Sequence, residues 1–406
     1  MRGVVYGDEG VARAMEGELR ERLAEGRPLR VYLGIDPTAP DLTLGHTVPM
    51  RKLRQFQDLG HEAVLLIGGY TALVGDPSDK ESTRPMLTLE EIEENGRTYA
   101  EQAFKILDRD RTVIRNNAEW LGKLSFQELI KIASNFTVGQ FLQRDNFAKR
   151  RERGDPIYVH EFFYAFMQAY DAVALKTDVQ IGATEQLFNL MAGRTLQRAH
   201  GQRPQIAICM PILVGTDGHL RMSKSQGNYI ALNDPPAEMY GKVMSLPDDV
   251  MLDYFTLVTN VSGDEIEEIG RQLASRAVNP MEIKKRLARE IVSDLHGAEA
   301  SQEAERVFDA RHRDARVYAV PATATVDALS PQSVPLEQVE RLGLLKTLLV
   351  ARVVPSKSEG RRLLQQGAID VDGQPITSFE VELRVGSEIR VGKHRFLRIV
   401  DADKRG

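Results

Sequence analysis

Cysteine is nearly absent from this chain: Cys209 is the only one in 406 residues. A lone thiol excludes an intrachain disulfide and a multi-cysteine metal site. Its setting, "AICMPIL", reads as a buried strand residue rather than a nucleophile. Long apolar runs are also missing. The greasiest stretch, "AVLLIGGY", falls far short of the roughly eighteen residues that mark a membrane-spanning helix. The N-terminal segment is charged and has no apolar signal core, so a cytoplasmic location is expected. Neither an internal repeat nor a low-complexity tract is present. A surplus of positive charge is lacking too, since the net charge is −5, which argues against coating nucleic acid along the whole surface.

What is there is ordinary globular material, 42% hydrophobic and 27% charged, and long enough for two or three cores. The charge is unevenly spread. Residues 346–398 hold ten Lys or Arg against six Asp or Glu, a net of +4. A mildly basic C-terminal module on an acidic body points to a partner gripped at one end.

From 31 to 230, short apolar runs alternate with helical stretches. "RVYLGI", "EAVLLIGG", "TDVQIGA" and "QIAICMPILVG" read as strands, and "TVPMRKLRQFQDLG" as a helix with Met50, Leu53 and Phe56 on one face. The alternation predicts an α/β domain with a parallel sheet and helices on both faces, its ligands beyond the carboxyl ends of the strands. From about 232 to 320 the pattern becomes amphipathic and helical, with Asn279 and Pro280 starting one helix. "PATATVDALSPQSVP" reads as a linker. Beyond it come two short helices and strands joined by "VDGQP", a hairpin signal.

Two elements carry chemistry. In "DPTAPDLTLGHTVP", Gly45 and His46 sit where a loop turns into a helix. Backbone N–H groups and the helix dipole make such an end electropositive, and glycine lets phosphates approach. Pro49 is expected in the first helical turn, where a missing N–H costs little. A plain turn and helix cap explains the same residues. In "GTDGHLRMSKSQGN", Arg221 and Lys224 lie among glycines and hydroxyl residues, either a mobile loop that brings cations to a polyphosphate or a solvated basic turn. A third feature is visible in "FFYAFMQAYD". Tyr164, Gln168 and Asp171 are spaced i, i+4, i+7 on one helix face among apolar neighbours. A bound ligand or a structural hydrogen-bond network would satisfy them equally.

Taken together and in order, these stretches resemble the class I aminoacyl-tRNA synthetases. "TLGH" stands at the family's "HIGH" and "RMSKS" at its "KMSKS". The resemblance is closest to the bacterial tyrosyl-tRNA synthetases, through "YLGIDPTAPDLTLGH", "GGYTALVGDPS", "FFYAFMQAYD" and "VQIGATEQLFN". It implies a Rossmann-like catalytic domain with an inserted dimerisation segment (1–230), a helical anticodon-binding domain (231–320), a linker (321–335) and a small α+β RNA-binding domain like that of ribosomal protein S-four (336–406). It further implies ATP with Mg²⁺, L-tyrosine and tRNA(Tyr) as substrates and partners, and a homodimer built around 120–165.

The reaction implied is attack of the tyrosine carboxylate on the α-phosphorus of ATP, then transfer to tRNA. No side-chain nucleophile is needed, so catalysis rests on alignment and charge stabilisation. By the same resemblance His46, Lys80, Arg84, Arg221 and Lys224 are the basic groups for the phosphates. Tyr32 and Asp171 hold the phenol, and Asp76, Tyr164 and Gln168 meet the ammonium, with Asn117, Gln180 and Gln186 nearby. Gly34, Asp36, Thr38, Thr43, Gly45 and Glu185 frame ATP, and Arg361 and Arg362 face RNA phosphates. Four positions depart from the family. Thr43 replaces the first histidine of "HIGH", which predicts weaker help to the pyrophosphate end. Ala183 and Glu185 stand where glycine and aspartate are usual, and Arg221 replaces a lysine. A tryptophan enzyme and a catalytically silent RNA-binding paralogue are the competing readings; Tyr32 with Asp171 argues against the first, and "RMSKS" with Asp76 against the second.

Overall fold

The computed structural model describes every residue except 1–2, 7, 79–86, 315–331, 336–342, 352, 355–356, 382, 393–394 and 401–406. The chain divides into two compact units, Met1–His312 and Arg313–Gly406.

The first unit is built on five parallel strands in the order β3-β2-β1-β4-β5. They are β1 (Arg30–Ile35), β2 (Glu62–Ile67), β3 (Thr112–Asn116), β4 (Val179–Ala183) and β5 (Ile206–Met210). The inner strands are almost continuously buried, as expected where helices cover both faces of a parallel sheet. Cys209 lies in β5 at 1% exposure, a buried strand thiol as the sequence suggested. β3 escaped the sequence reading. It is an edge strand with Val113 and Ile114 exposed, and the charged "RDRTVIRNN" around it masks the apolar signal.

The flanking helices include α1 (Glu9–Ala24), α2 (Leu44–Asp58), α3 (Leu89–Ala103), α4 (Val159–Leu175) and α5 (Leu187–Ala199). α2 begins at Leu44, with Thr43 as its N-cap, earlier than expected. Pro49 therefore lies inside the helix rather than in its first turn, where it cannot donate to the Gly45 carbonyl. Strand order reverses between β1 and β4, so the loops after these two strands diverge and open a crevice.

Five further helices follow: α6 (Pro236–Met244), α7 (Met251–Val258), α8 (Gly263–Ala274), α9 (Pro280–His296) and α10 (Ala298–Asp314). Asn279 caps α9 and Pro280 is its first residue, so the N–H that proline lacks would have gone unpaired anyway. These helices share one apolar cluster with the sheet, Tyr254, Leu287 and Val292 joining Leu33, Leu65 and Ile208. Buried Arg51 of α2 pairs with Asp294 of α9 and donates to Asn260 Oδ1 at 3.1 Å.

The second unit has its own sheet, in the order β6-β10-β9-β7-β8. Its strands are β6 (Gln332–Pro335), β7 (Ile369–Val371), β8 (Gln374–Pro375), β9 (Glu388–Val391) and β10 (Arg395–Val400). The helices α11 (Leu344–Val350) and α12 (Lys357–Gln365) accompany it. The "VDGQP" hairpin forms as expected, with Asp372 and Gly373 both at positive φ, 52° and 79°. Most of the stretch read as linker lies outside the described residues; its end, Gln332–Pro335, is a strand paired in parallel with β10.

Candidate functional site

The crevice at the β1/β4 divergence holds a cleft of about 240 Å³. Its walls include Tyr32, Gly34, Asp36, Thr38, His46, Asp76, Asn117, Tyr164, Gln168, Asp171, Gln180, Glu185 and Gln186, all singled out in the sequence. Strands β1 and β4, helices α2 and α4, and the segments that follow β1, β2, β3 and β4 deliver these side chains. The sheet sets the floor: in β1, Tyr32 sits opposite Gln180 of β4. Helix α4 supplies the Tyr164, Gln168 and Asp171 face read from its spacing.

At one end of the cleft, Asp171 is 2% exposed and accepts from Trp120 Nε1 at 2.7 Å and from Asn117 Nδ2 at 3.2 Å. Burial raises its carboxyl to about 8, against the pull of those two donors. Tyr32 is fully buried, and burial followed by the charge of Asp171 keeps its phenol protonated. Among the described residues the Tyr32 hydroxyl finds no hydrogen-bond partner. A buried hydroxyl left this way costs about 1–3 kcal/mol. An unpartnered donor close to a carboxyl oxygen is an arrangement that a ligand hydroxyl satisfies, accepting from one and donating to the other.

Further along, Asp76 accepts from Gln186 Nε2 and from the Ser78 N–H at 2.8 Å. The Gln168 Oε1 atom, buried and without a partner among the described residues, is a free acceptor in the same cleft. Tyr164 donates to Asp36 Oδ2 at 2.9 Å, while Thr71 donates to Asp36 Oδ1 at 2.7 Å. Gly68 lines this corner because a Cβ there would lie 2.0 Å from Asp36 Oδ1. Gln180 accepts from Gln205, and Asn117 also reaches Thr71. Both alternatives for the α4 face are therefore present: Asp171 and Tyr164 take part in an internal network, and Gln168 retains an open acceptor.

His46 sits at the N-terminus of α2 on the cleft wall. Burial, then the charge of Lys224, lowers its imidazole to about 4, so it is a neutral donor rather than the cation its residue type suggested. The Thr43 N–H donates to Nδ1 at 3.1 Å, which places the ring proton on Nε2. Thr43 itself is 4% exposed, with its hydroxyl 2.9 Å from Nδ1; it orients the histidine and does not line the cleft. Gly45 packs toward Met222 and Leu213.

The loop carrying Arg221 and Lys224 is laced together by Asn228, which accepts from the Ser223 N–H at 2.9 Å and donates to Asp217 Oδ2 at 2.6 Å. Gly215 makes room for it, since a Cβ there would clash with the Asn228 side chain and carbonyl. Arg221 lies 3.8 Å from Glu185, and Lys224 lies 3.9 Å from Asp41. Lys80 and Arg84 fall outside the described residues. In the second unit, Arg361 and Arg362 are exposed on α12, and Arg362 pairs with Glu359 at 2.7 Å.

Two residues at the site went unread. Trp120 orients Asp171 from a charged stretch with no periodicity to mark it, and Thr71 joins Asp36 to Asn117. The available signal for Trp120 was that it is the chain's one tryptophan, an indole whose N–H calls for an acceptor when it is drawn into a core.

Comparison with known proteins agrees with this geometry. The family of tRNA synthetases class I (W and Y) matches residues 24–313. A tyrosine–tRNA ligase of Carboxydothermus hydrogenoformans is 48% identical over 94% of this chain and 92% of its own. One from Thermotoga maritima is 46% identical over 95% and 93%. Among solved structures, a tyrosyl-tRNA synthetase from Archaeoglobus fulgidus complexed with L-tyrosine is 26% identical, with a TM-score of 0.58 over 71% of this chain and 94% of that one. A truncated Aspergillus nidulans mitochondrial tyrosyl-tRNA synthetase, 22% identical, shares the fold with a TM-score of 0.60 over 76% and 91%.

Proposed function

Because the chain belongs to the class I tRNA synthetases, and within them to the tyrosine–tRNA ligases, we propose that the cleft at the β1/β4 divergence is where L-tyrosine and ATP react. The activity is formation of tyrosyl-adenylate and pyrophosphate, followed by transfer of the tyrosyl group to tRNA. The observation that carries the assignment of the slot is the orphaned Tyr32 hydroxyl in the cleft that Asp171 also lines, near enough to feel its charge. The substrate phenol accepts from Tyr32 and donates to Asp171, whose other contacts, Trp120 and Asn117, hold the carboxyl in place. An indole ring offers no oxygen to meet Tyr32, which disfavours tryptophan. The ammonium group of the substrate lies against Asp76 and Gln168 Oε1, the charge and the free acceptor on the cleft wall.

The carboxylate of tyrosine is then directed at the α-phosphorus. ATP runs past Gly34, Asp36 and Thr38, with Glu185 at the ribose. His46 donates from Nε2 to a phosphoryl oxygen, and a neutral donor serves here because it does not hold the product pyrophosphate as a cation would. Arg221 and Lys224 supply positive charge from the facing loop, with Lys80 and Arg84 assigned to the same work. Mg²⁺ would come with ATP as part of that substrate and would screen part of the phosphate charge, since no cluster of metal ligands is found among the described residues.

The remaining assignments have separate support. The helices between 231 and 320 take the anticodon arm, and the basic 336–406 module with Arg361 and Arg362 binds tRNA backbone. Residues 1–230 are the catalytic part and 321–331 the connection, since Gln332–Pro335 is a strand of the second sheet. Large apolar side chains stay exposed in the 120–165 insertion, Phe126, Ile130, Val138 and Val159 among them, which supports a homodimer through that surface. The cytoplasm, where ATP and tRNA meet, is the proposed compartment.

Amino-acid-dependent exchange of pyrophosphate into ATP tests the reading. Exchange is expected with L-tyrosine and far weaker with tryptophan or phenylalanine. Exchange supported best by tryptophan, or by no amino acid, refutes it.

A further inference from the structure

The segment between β1 and α2 contains Pro37 and Pro40, which have no N–H, so its carbonyls depend on donors from elsewhere. One helix face provides them. Asn95, Thr98, Tyr99 and Gln102 of α3 fall at i, i+3, i+4 and i+7 and all meet this loop. Asn95 Nδ2 donates to the Pro37 carbonyl at 3.1 Å, and Thr98 Oγ1 donates to the Pro40 carbonyl at 2.7 Å. Tyr99, 2% exposed, hydrogen-bonds with the Ala39 backbone and the Thr38 side chain.

Gln102 does most. Buried at 5% exposure, it donates from Nε2 to Pro40 at 2.9 Å and accepts at Oε1 from the Leu42 N–H at 2.8 Å. Leu42 is fully buried, so its N–H has no recourse to solvent. On its other side the Leu42 carbonyl accepts from Leu232 at 2.9 Å, just past the Arg221–Lys224 loop. The next residue is Thr43, which orients His46. One amide thus fixes both the Thr38 side of the loop and the entry to the helix that presents His46.

We infer that Gln102 is a positioning residue for ATP: it touches no substrate, yet it sets the backbone on which Thr38 and His46 are placed. This rests on the assignment of ATP to the loop made above. None of the motif stretches includes Gln102, because its partners lie about sixty residues away in sequence.

Gln102→Met keeps the length and removes both hydrogen bonds. Its KM for ATP in tyrosine-dependent pyrophosphate exchange is expected to rise about tenfold, while the dissociation constant for L-tyrosine stays within about twofold. Gln102→Glu retains the acceptor for Leu42 and is expected to recover part of the loss. Thr98→Val, on the exposed side of the contact, is expected to raise the same KM about threefold. A folded Gln102→Met with unchanged ATP KM overturns the inference, and so does an equal rise in the tyrosine constant, which marks general loosening. Should the methionine variant not fold, Gln102→Glu and Thr98→Val decide, and an unchanged ATP KM in both overturns it. Wild-type protein without tyrosine-dependent exchange refutes the function instead; equilibrium binding of ATP in the same variants then still tests the clamp.

Discussion

Tyr32→Phe is expected to act in opposite directions on the free and the tyrosine-bound protein. In the free protein the hydroxyl is buried and unpartnered among the described residues, and leaving a group in that state costs about 1–3 kcal/mol. Removing one oxygen also forfeits its packing contacts, a loss of several tenths of a kcal/mol at ~0.1–0.2 kcal/mol each. The net expectation is a gain of roughly 1 kcal/mol, or about 1–3 °C in melting temperature for a unit of this size. With tyrosine bound, the same change deletes a hydrogen bond worth about 0.5–1.5 kcal/mol; added to the roughly 1 kcal/mol gained by the free protein, this is about 1.5–2.5 kcal/mol, or roughly a thirteen- to seventy-fold loss of affinity. The assay is thermal unfolding with and without saturating L-tyrosine, alongside exchange kinetics with tyrosine and phenylalanine. The variant should start higher, gain less from tyrosine, and discriminate less against phenylalanine by the same factor. A variant less stable than wild type without ligand, or one with an unchanged tyrosine constant, refutes the reasoning.

His46 should carry a pH signature. Its imidazole is lowered from 6.5 to about 4, so between those values the unfolded chain binds a proton that the folded one does not. Stability therefore rises with pH across that window and is lost as pH falls through it, by up to ~3 kcal/mol. Denaturation of wild type and His46→Gln at pH 4 to 7 should show a steeper rise of stability with pH in wild type than in the variant, the groups they share, such as Asp171, contributing equally to both; parallel curves count against it. Thr43→Val removes the hydroxyl beside Nδ1 and should slow adenylation severalfold by letting the ring turn, with an unchanged rate as the opposing result. The double variant Arg361→Ala/Arg362→Ala should reduce the slope of log K against log salt for tRNA binding by about 2, and an unaltered slope removes these arginines from the interface.

The sheet was legible because its inner strands are short apolar runs with a glycine or proline loop after them, and a buried parallel strand has no other way to look. β3 was not, because Val113 and Ile114 stay exposed and its charged neighbours flatten the pattern, whereas the other edge strand, β5, is buried throughout. In the site, the α4 face could be read from spacing alone, whereas its division of labour could not. Periodicity says that Tyr164 and Asp171 point the same way; only the folded chain shows that one is held by Asp36 and the other by Trp120 and Asn117. His46 stands on the cleft wall, but its protonation could not be read from the sequence, since it depends on burial and on Lys224, which lies far along the chain. Gln102 belongs to the same class of residue, essential to geometry and silent in sequence.

The solitary thiol has a practical use. Cys209 is 1% exposed and burial pushes its ionisation up to about 11, so maleimides and iodoacetamides will find almost no thiolate to attack in the native protein. A cysteine introduced at an exposed site such as Gln226, on the loop opposite His46, becomes the single point of labelling without Cys209 having to be replaced. A fluorophore there turns the chain into its own reporter of loop position during each half of the reaction.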